Sequence, residues 1–303
     1  MLALDRIAAA AEAHPRNLAL AAGEAQLSYA TLWQLSGKVA AALAAHGVQH
    51  GDRVGVATGD TAEVYAALLG CWRAGAAYVP LNRHHPAARN QAILQQAGVR
   101  ALLLPAPWEQ AEALQAALGE APTLSWQQAT EHLHPTPAVP QLASGDLAYL
   151  LFTSGSTGTP KGVPIHHGAL AHFLGSCLQV WPFEAQDRFL QMFELTFDLS
   201  VFSWVMPLCV GASTHILPSD GPSYLRIAEL LEEQALTVAL LAPSVLTYLQ
   251  PYFEELALPS LRLSLFCGEP LPQHLAAGWA ACLPQGRVHN VYACSECDYV
   301  AFA

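Results

Sequence analysis

Short apolar runs alternate with longer helical segments along most of this chain, and that alternation leaves few architectures open. Residues 52–58 (DRVGVAT), 77–81 and 101–105 (ALLLP) read as strands, the second ended by Pro80, and residues 61–72 and 86–97 between them as helices. A looser stretch at 120–144, holding Pro122, Pro135, Pro137 and Pro140, reads as a connection between two α/β units. The rhythm then resumes with candidate strands at 147–154, 188–193, 213–218, 237–243, 262–268 and 288–292, and helices at 225–234 and 272–282. Strands without a polar face must be buried on both sides. A mainly parallel sheet covered by helices on both faces satisfies that requirement. Ligands in such sheets sit beyond the carboxyl ends of the strands.

Composition narrows the function. Of 303 residues 53% are hydrophobic and only 12% charged, with a mean hydropathy of +0.27, which suits a large core and excludes a disordered chain. Thirteen Lys and Arg against 24 Asp and Glu leave a net charge of −11. Such a chain has no long-range attraction for nucleic acid or anionic lipid, so neither is expected as a partner. The longest apolar stretch, 199–212, is broken by Ser200, Ser203 and Pro207, and falls short of the roughly 20 residues that span a bilayer. The first residues place Asp5 and Arg6 ahead of an alanine run and carry no basic leader, unlike a secretion signal. Seven scattered cysteines read as buried thiols of a cytoplasmic protein, and the single Cys294–Cys297 pair is weak support for metal or redox chemistry.

The segment with the most chemical content is 153–162, TSGSTGTPKG, directly after an apolar strand. Its glycines and hydroxyls form a flexible loop rich in N–H and O–H donors, suited to wrapping phosphate oxygens. Lys161 adds a cation, and it is one of only two lysines, the other being Lys38. The segment is not a Walker A loop, because Gly162 and Val163 follow the lysine, and it lacks the spacing of a nucleophile elbow.

At this point the sequence resembles the adenylate-forming superfamily. LAYLLFTSGSTGTPKGVPIHH is similar to that family's phosphate loop. LSYATL at 27–32, WRAGAAYVPL at 72–81, FDLS at 197–200 and NVYACSE at 290–296 are similar, in order, to its other core motifs. The resemblance covers essentially the whole chain and points to amino-acid adenylation domains of the nonribosomal peptide synthetase and D-alanine–carrier protein ligase type. It implies two doubly wound, mainly parallel sheets flanked by helices, divided at 1–140 and 141–303. It also implies a reaction in which ATP and an amino acid give an aminoacyl-adenylate and pyrophosphate, followed by transfer to a phosphopantetheinyl carrier protein.

Residue roles follow from the same resemblance. Thr153, Ser154, Gly155, Ser156, Thr157, Gly158 and Lys161 would hold the phosphates, with Lys161 and Glu296 the catalytic pair. Glu296 would bind Mg²⁺, a hard ion that prefers carboxylate oxygen. Tyr292 would stack on adenine, Asn290 would bond its amino edge, Gly268 would admit the base close to the backbone, and Ser295 would keep a hydroxyl where the family has threonine. Ala293 and Cys294 stand where the family has Gly and Pro. Asp198 would pair with the substrate ammonium. Its competing role is a helix N-cap or a core carboxylate, since a carboxylate in an uncharged stretch needs a partner. Leu199, Phe202, Leu240, Leu265, Cys267, Val291, Tyr299 and Val300 would line an apolar side-chain pocket, and ordinary core is the alternative for each. The family's ribose-binding Thr-Gly-Asp and C-terminal lid lysine do not occur, so the sequence reads as the N-terminal part of such an enzyme. Two alternatives stay open: a lidless nucleotide-binding module without turnover, and an acyl- or aryl-CoA ligase fragment.

Overall fold

The computed structural model describes residues 1–105, 107–131, 138–154, 160–218, 223–294 and 298–302, with backbone alone for 154, 223 and 298–302. The chain opens with α1 (Ala3–Ala13), the hairpin β1 (Leu18–Ala22) and β2 (Ala25–Ser28), and α2 (Tyr29–Ala45). It continues through β3 (Arg53–Thr58), α3 (Ala62–Arg73), β4 (Ala77–Asn82), α4 (Ala87–Ala97), β5 (Ala101–Leu104), α5 (Ala111–Leu118), β6 (Thr123–Ser125) and α6 (Trp126–Thr130). Next come β7 (Leu147–Ser154), β8 (Pro160–His166), α7 (His167–Val180), β9 (Arg188–Gln191), α8 (Leu199–Val210), β10 (Ser213–Ile216) and α9 (Ser223–Glu233). The last elements are β11 (Val238–Leu241), α10 (Ser244–Leu249), β12 (Leu263–Phe266), α11 (Gln273–Ala281), β13 (Arg287–Cys294) and β14 (Asp298–Phe302).

These strands form two sheets. One runs β6-β5-β3-β4-β7-β8, parallel except for the antiparallel β8. The other runs β14-β13-β12-β11-β9-β10-β1-β2, with parallel neighbours from β13 to β1 and antiparallel strands at both edges. Sheet membership is therefore not contiguous in sequence. β1 and β2 join the sheet built from residues after 188, while β7 and β8 complete the sheet built from residues 53–125. A cut at 140/141 is not the division between the sheets. The stretch 120–144 also holds more than a connection, because β6 pairs with β5 and Ser125 caps α6. Its apolar positions are too few to announce a three-residue strand. Nor does β4 end at Pro80: it continues to Asn82, fully registered with β3. Proline removes a ladder donor. On its other side β4 meets β7 in register at Tyr78 and Tyr149 alone.

α3 and α8 carry the core. Every residue of α3 except Glu63 is buried, as is every residue of α8 except Val210. A helix apolar all round belongs inside. Trp72 of α3 stacks on Trp204 of α8 with ring centroids 5.3 Å apart, and its indole N–H donates to the Ala148 carbonyl of β7 at 2.8 Å. Tyr78 and Tyr149 stack beside them at 5.4 Å. This aromatic seam ties β4 and β7 of one sheet to α8, which follows β9 of the other. Among the described residues, Thr153, Asp198 and Gly268 fall at or beyond the carboxyl ends of β7, β9 and β12. Among the described residues no helix is long and apolar enough to cross a membrane.

Candidate functional site

The apolar run of β7 folds back onto β8, and Thr153 opposes Lys161 near the mouth of that hairpin. Ser154 and Pro160 form the last pair before residues 155–159. Thr153 is half-buried and Lys161 is exposed. Gly155, Ser156, Thr157 and Gly158, together with Ser295 and Glu296, lie outside the described residues, as do the side chains of Ser154, Tyr299 and Val300.

Asp198 stands at the N-terminus of α8. One carboxylate oxygen accepts from the Leu199 amide at 2.8 Å, so the residue is a helix N-cap, the alternative its sequence context held open. The approach to it is also fixed. Asn82 at the end of β4 donates to the Glu194 carboxylate at 2.9 Å, and the Ser200 hydroxyl donates to the Phe197 carbonyl at 2.6 Å. Phe197 is left 60% exposed.

β12 delivers Cys267 and Gly268 against this helix end. Burial pushes the Cys267 thiol up to about 11, with the Asp198 charge adding to the effect. Gly268 has φ of +92°, a left-handed backbone that a side chain resists, and a Cβ there would meet Leu199 at 3.5 Å. The turn is pinned by Glu269, which accepts from the Ser244 amide at 2.8 Å and from its hydroxyl at 3.2 Å. On β13, Asn290 and Tyr292 alternate with Val291. The first two are exposed, Tyr292 by 64%, while Val291 is buried. The period of two puts both candidate adenine contacts on one face.

Thr153 and Asp198 line the same cleft, of about 220 Å³, over a floor of Leu151 and Phe152. His85, Arg89, Thr196 and Phe197 complete it. From the sequence His85 reads as a loop residue rather than a ligand, and Arg89 carries no mark of function. The one available signal was their position just after the WRAGAAYVPL segment, in the turn that enters α4. The expected side-chain pocket behaves differently. Leu199, Phe202, Leu240, Leu265, Cys267 and Val291 do come together, but buried in the main core. All six are buried, a placement that both pocket lining and ordinary core require. A larger cleft of about 290 Å³ lies at the ends of β3, β4, β9 and β10, but its polar groups are partly engaged with one another, as in the Asn82–Glu194 bond.

A wound α/β molecule that gathers a hairpin mouth and an exposed aromatic toward its strand ends belongs to the class of folds that take ligands there. The chain matches the AMP-binding enzyme family over residues 7–303 and belongs to that family. It is similar to pyochelin synthetase PchF of Pseudomonas aeruginosa, at 34% identity over 273 residues, which are 89% of this chain and 15% of that protein. The chain thus spans well under a quarter of that relative. Among solved structures it is similar to the nonribosomal peptide synthetase FmoA3 in an AMPPNP-bound form, with a TM-score of 0.91 and 27% identity over all of this chain and 32% of that one. The fold alone is shared with the N-terminal subdomain of Klebsiella oxytoca NpsA, in complex with 3-hydroxyanthranilyl-AMSN, at a TM-score of 0.86 and 23% identity over all of this chain and 76% of that one.

Proposed function

We propose that this chain binds ATP and an amino acid and supports formation of the aminoacyl-adenylate with release of pyrophosphate, the activated acyl group then passing to a phosphopantetheinyl carrier protein. The observation that carries this reading is the shared cleft. It brings the first residue of the phosphate-binding segment, Thr153, to the carboxylate proposed for the amine, Asp198. The similarity to peptide synthetases supports the same substrate class.

The chemical difficulty is the approach of a carboxylate to an α-phosphate inside a polyanion, and positioned cations and N–H donors lower that barrier. Ser154 to Gly158 and Lys161 are proposed for the β- and γ-phosphates, Tyr292 for stacking on adenine, and Asn290 and Gly268 for its edge. Capping α8 and meeting an ammonium are compatible roles for Asp198, since a carboxylate has two oxygens with about four acceptor sites. Mg²⁺ is proposed at Glu296, with Ser295 beside it. That assignment rests on the motif, as do Tyr299 and Val300 in the side-chain pocket. The lining proposed for that pocket is apolar, so the favoured amino acid carries a small or hydrophobic side chain. A cytoplasmic location fits a fold in which no disulfide joins the described cysteines.

Pyrophosphate exchange against a panel of amino acids tests the reading. Exchange with one or a few amino acids, lost in Lys161→Ala, supports it. ATP binding without exchange for any acid would leave a nucleotide-binding module. Exchange with simple carboxylic acids, indifferent to Asp198, would point to a CoA-ligase type of substrate.

A further inference from the structure

We propose that Arg89, with His85 beside it, is a second attachment point for the polyphosphate of the bound nucleotide, in addition to Lys161. This inference rests on the ATP-binding reading above and names a positioning residue for it.

Arg89 sits in the first turn of α4, an 11-residue helix with no acidic residue in that turn and no side-chain cap from Pro86. Helix N-termini carry partial positive charge and uncapped N–H donors, so a cation placed there works against the helix. Arg89 therefore contributes nothing favourable to its own element through its charge. The same turn faces the cleft that Thr153 and Asp198 share. Guanidinium, imidazole and helix terminus all favour an anion at one place, in a chain of net charge −11. Burial, then the charges of Arg89 and His84, hold His85 below the ordinary imidazole value, as expected for a site biased toward positive potential. The Arg89 Nε and His85 Nδ1 atoms are shut from solvent with no hydrogen-bond partner among the described residues.

Two anions of the reaction could use this place: the nucleotide's polyphosphate or the amino acid's carboxylate. The first is favoured because Thr153, which precedes the Ser/Gly/Thr segment in the sequence, lines this cleft. Asp198 in the same cleft would also repel a polyphosphate, and a guanidinium lining that cleft offsets the repulsion.

Calorimetric binding of ATP, AMP and inorganic pyrophosphate to wild type, Arg89→Ala and Arg89→Lys tests the proposal, with thermal unfolding as a check on the fold. Charge-assisted bonds to phosphate predict that Arg89→Ala weakens ATP and pyrophosphate by about ten- to a hundredfold. AMP, which lacks the β- and γ-phosphates, should change less than about twofold, and Arg89→Lys should recover part of the loss. Unchanged ATP affinity in Arg89→Ala overturns the proposal alone. Equal losses for ATP and AMP overturn it as well. A selective loss of amino-acid affinity would assign the guanidinium to the carboxylate instead. A wild-type chain that binds no ATP overturns both this inference and the function on which it rests.

Discussion

At the scale of single residues, Asp198 holds two jobs that mutation can separate. It caps α8 through one oxygen, and its charge is proposed to meet an ammonium. Asparagine caps a helix about as well as aspartate but carries no charge. Asp198→Asn should therefore leave urea stability within about 0.5 kcal/mol, yet weaken amino-acid binding at least tenfold in exchange assays. Asp198→Ala should lose both, with about 1 kcal/mol of stability. An Asn variant that exchanges normally would reduce the residue to its cap. Gly268 makes a second residue-level case. Its φ of +92° means that Gly268→Ala should cost about 1–2 kcal/mol in denaturant titration, before any effect on the nucleotide. Neither role follows from composition. The cap was legible as one of two alternatives for a lone carboxylate in LTFDLSVF, whereas the positive φ of Gly268 was hidden, because nothing in FCGEP announces the turn direction.

Among the elements, the strands with continuous apolar runs were the legible ones. Residues 52–58, 101–105 and 237–243 lie within two residues of β3, β5 and β11 at either end, since burial on both faces removes all ambiguity of period. β1, β2 and β6 were missed for the opposite reason. They are short strands at or next to a sheet edge, and β1 also finds a partner far away in sequence, Leu20 against Thr214 of β10. The site divides in the same way. The loop at 153–162 was readable from its own residues, but its return strand β8 was not, and the approach of α4 depends on long-range packing, which left His85 read as a loop residue and Arg89 unmarked. One tertiary device at the far end of the sheet was equally silent. Asp187, just before β9, accepts from Arg262 at 2.8 Å and from the Thr237 hydroxyl at 2.7 Å, fastening the N-terminal ends of β9, β11 and β12. Burial alone would push the Asp187 carboxyl up, but the bonds from Arg262, the Glu184 amide and Thr237 outweigh it and hold it below the ordinary value. Arg262→Ala leaves that carboxylate buried without its cation and should cost about 3 kcal/mol by urea unfolding. The clamp lies at the strand ends away from the cleft, so ATP affinity should stay within about twofold.

For the whole molecule, the buried imidazoles set the acid response. Burial is the first cause that lowers both His167 and His215 to about 4, against an ordinary value of 6.5. Arg188 lowers His215 further, while Asp146 and Asp5 pull His167 partly back. Each ring is thus neutral in the folded protein at pH values where the unfolded chain would protonate it. The stability they contribute is complete above about pH 7 and is lost as pH falls from 6.5 through 4, up to roughly 3 kcal/mol for each ring. Asp187 acts in a different window. Its folded value is depressed, so its contribution is present above the ordinary carboxylate range and fades only as pH falls below it. The urea midpoint should therefore decline steadily from pH 7 to pH 5. His289 and His85, also lowered by burial first, add smaller parts of the same slope. His215→Gln should reduce that slope, because glutamine fills the site without a proton to gain, even if it lowers stability at pH 7. A wild-type midpoint that stays level from pH 7 to pH 5 would mean that these rings are protonated as readily folded as unfolded, which their enclosure between the strands and helices of this core does not permit.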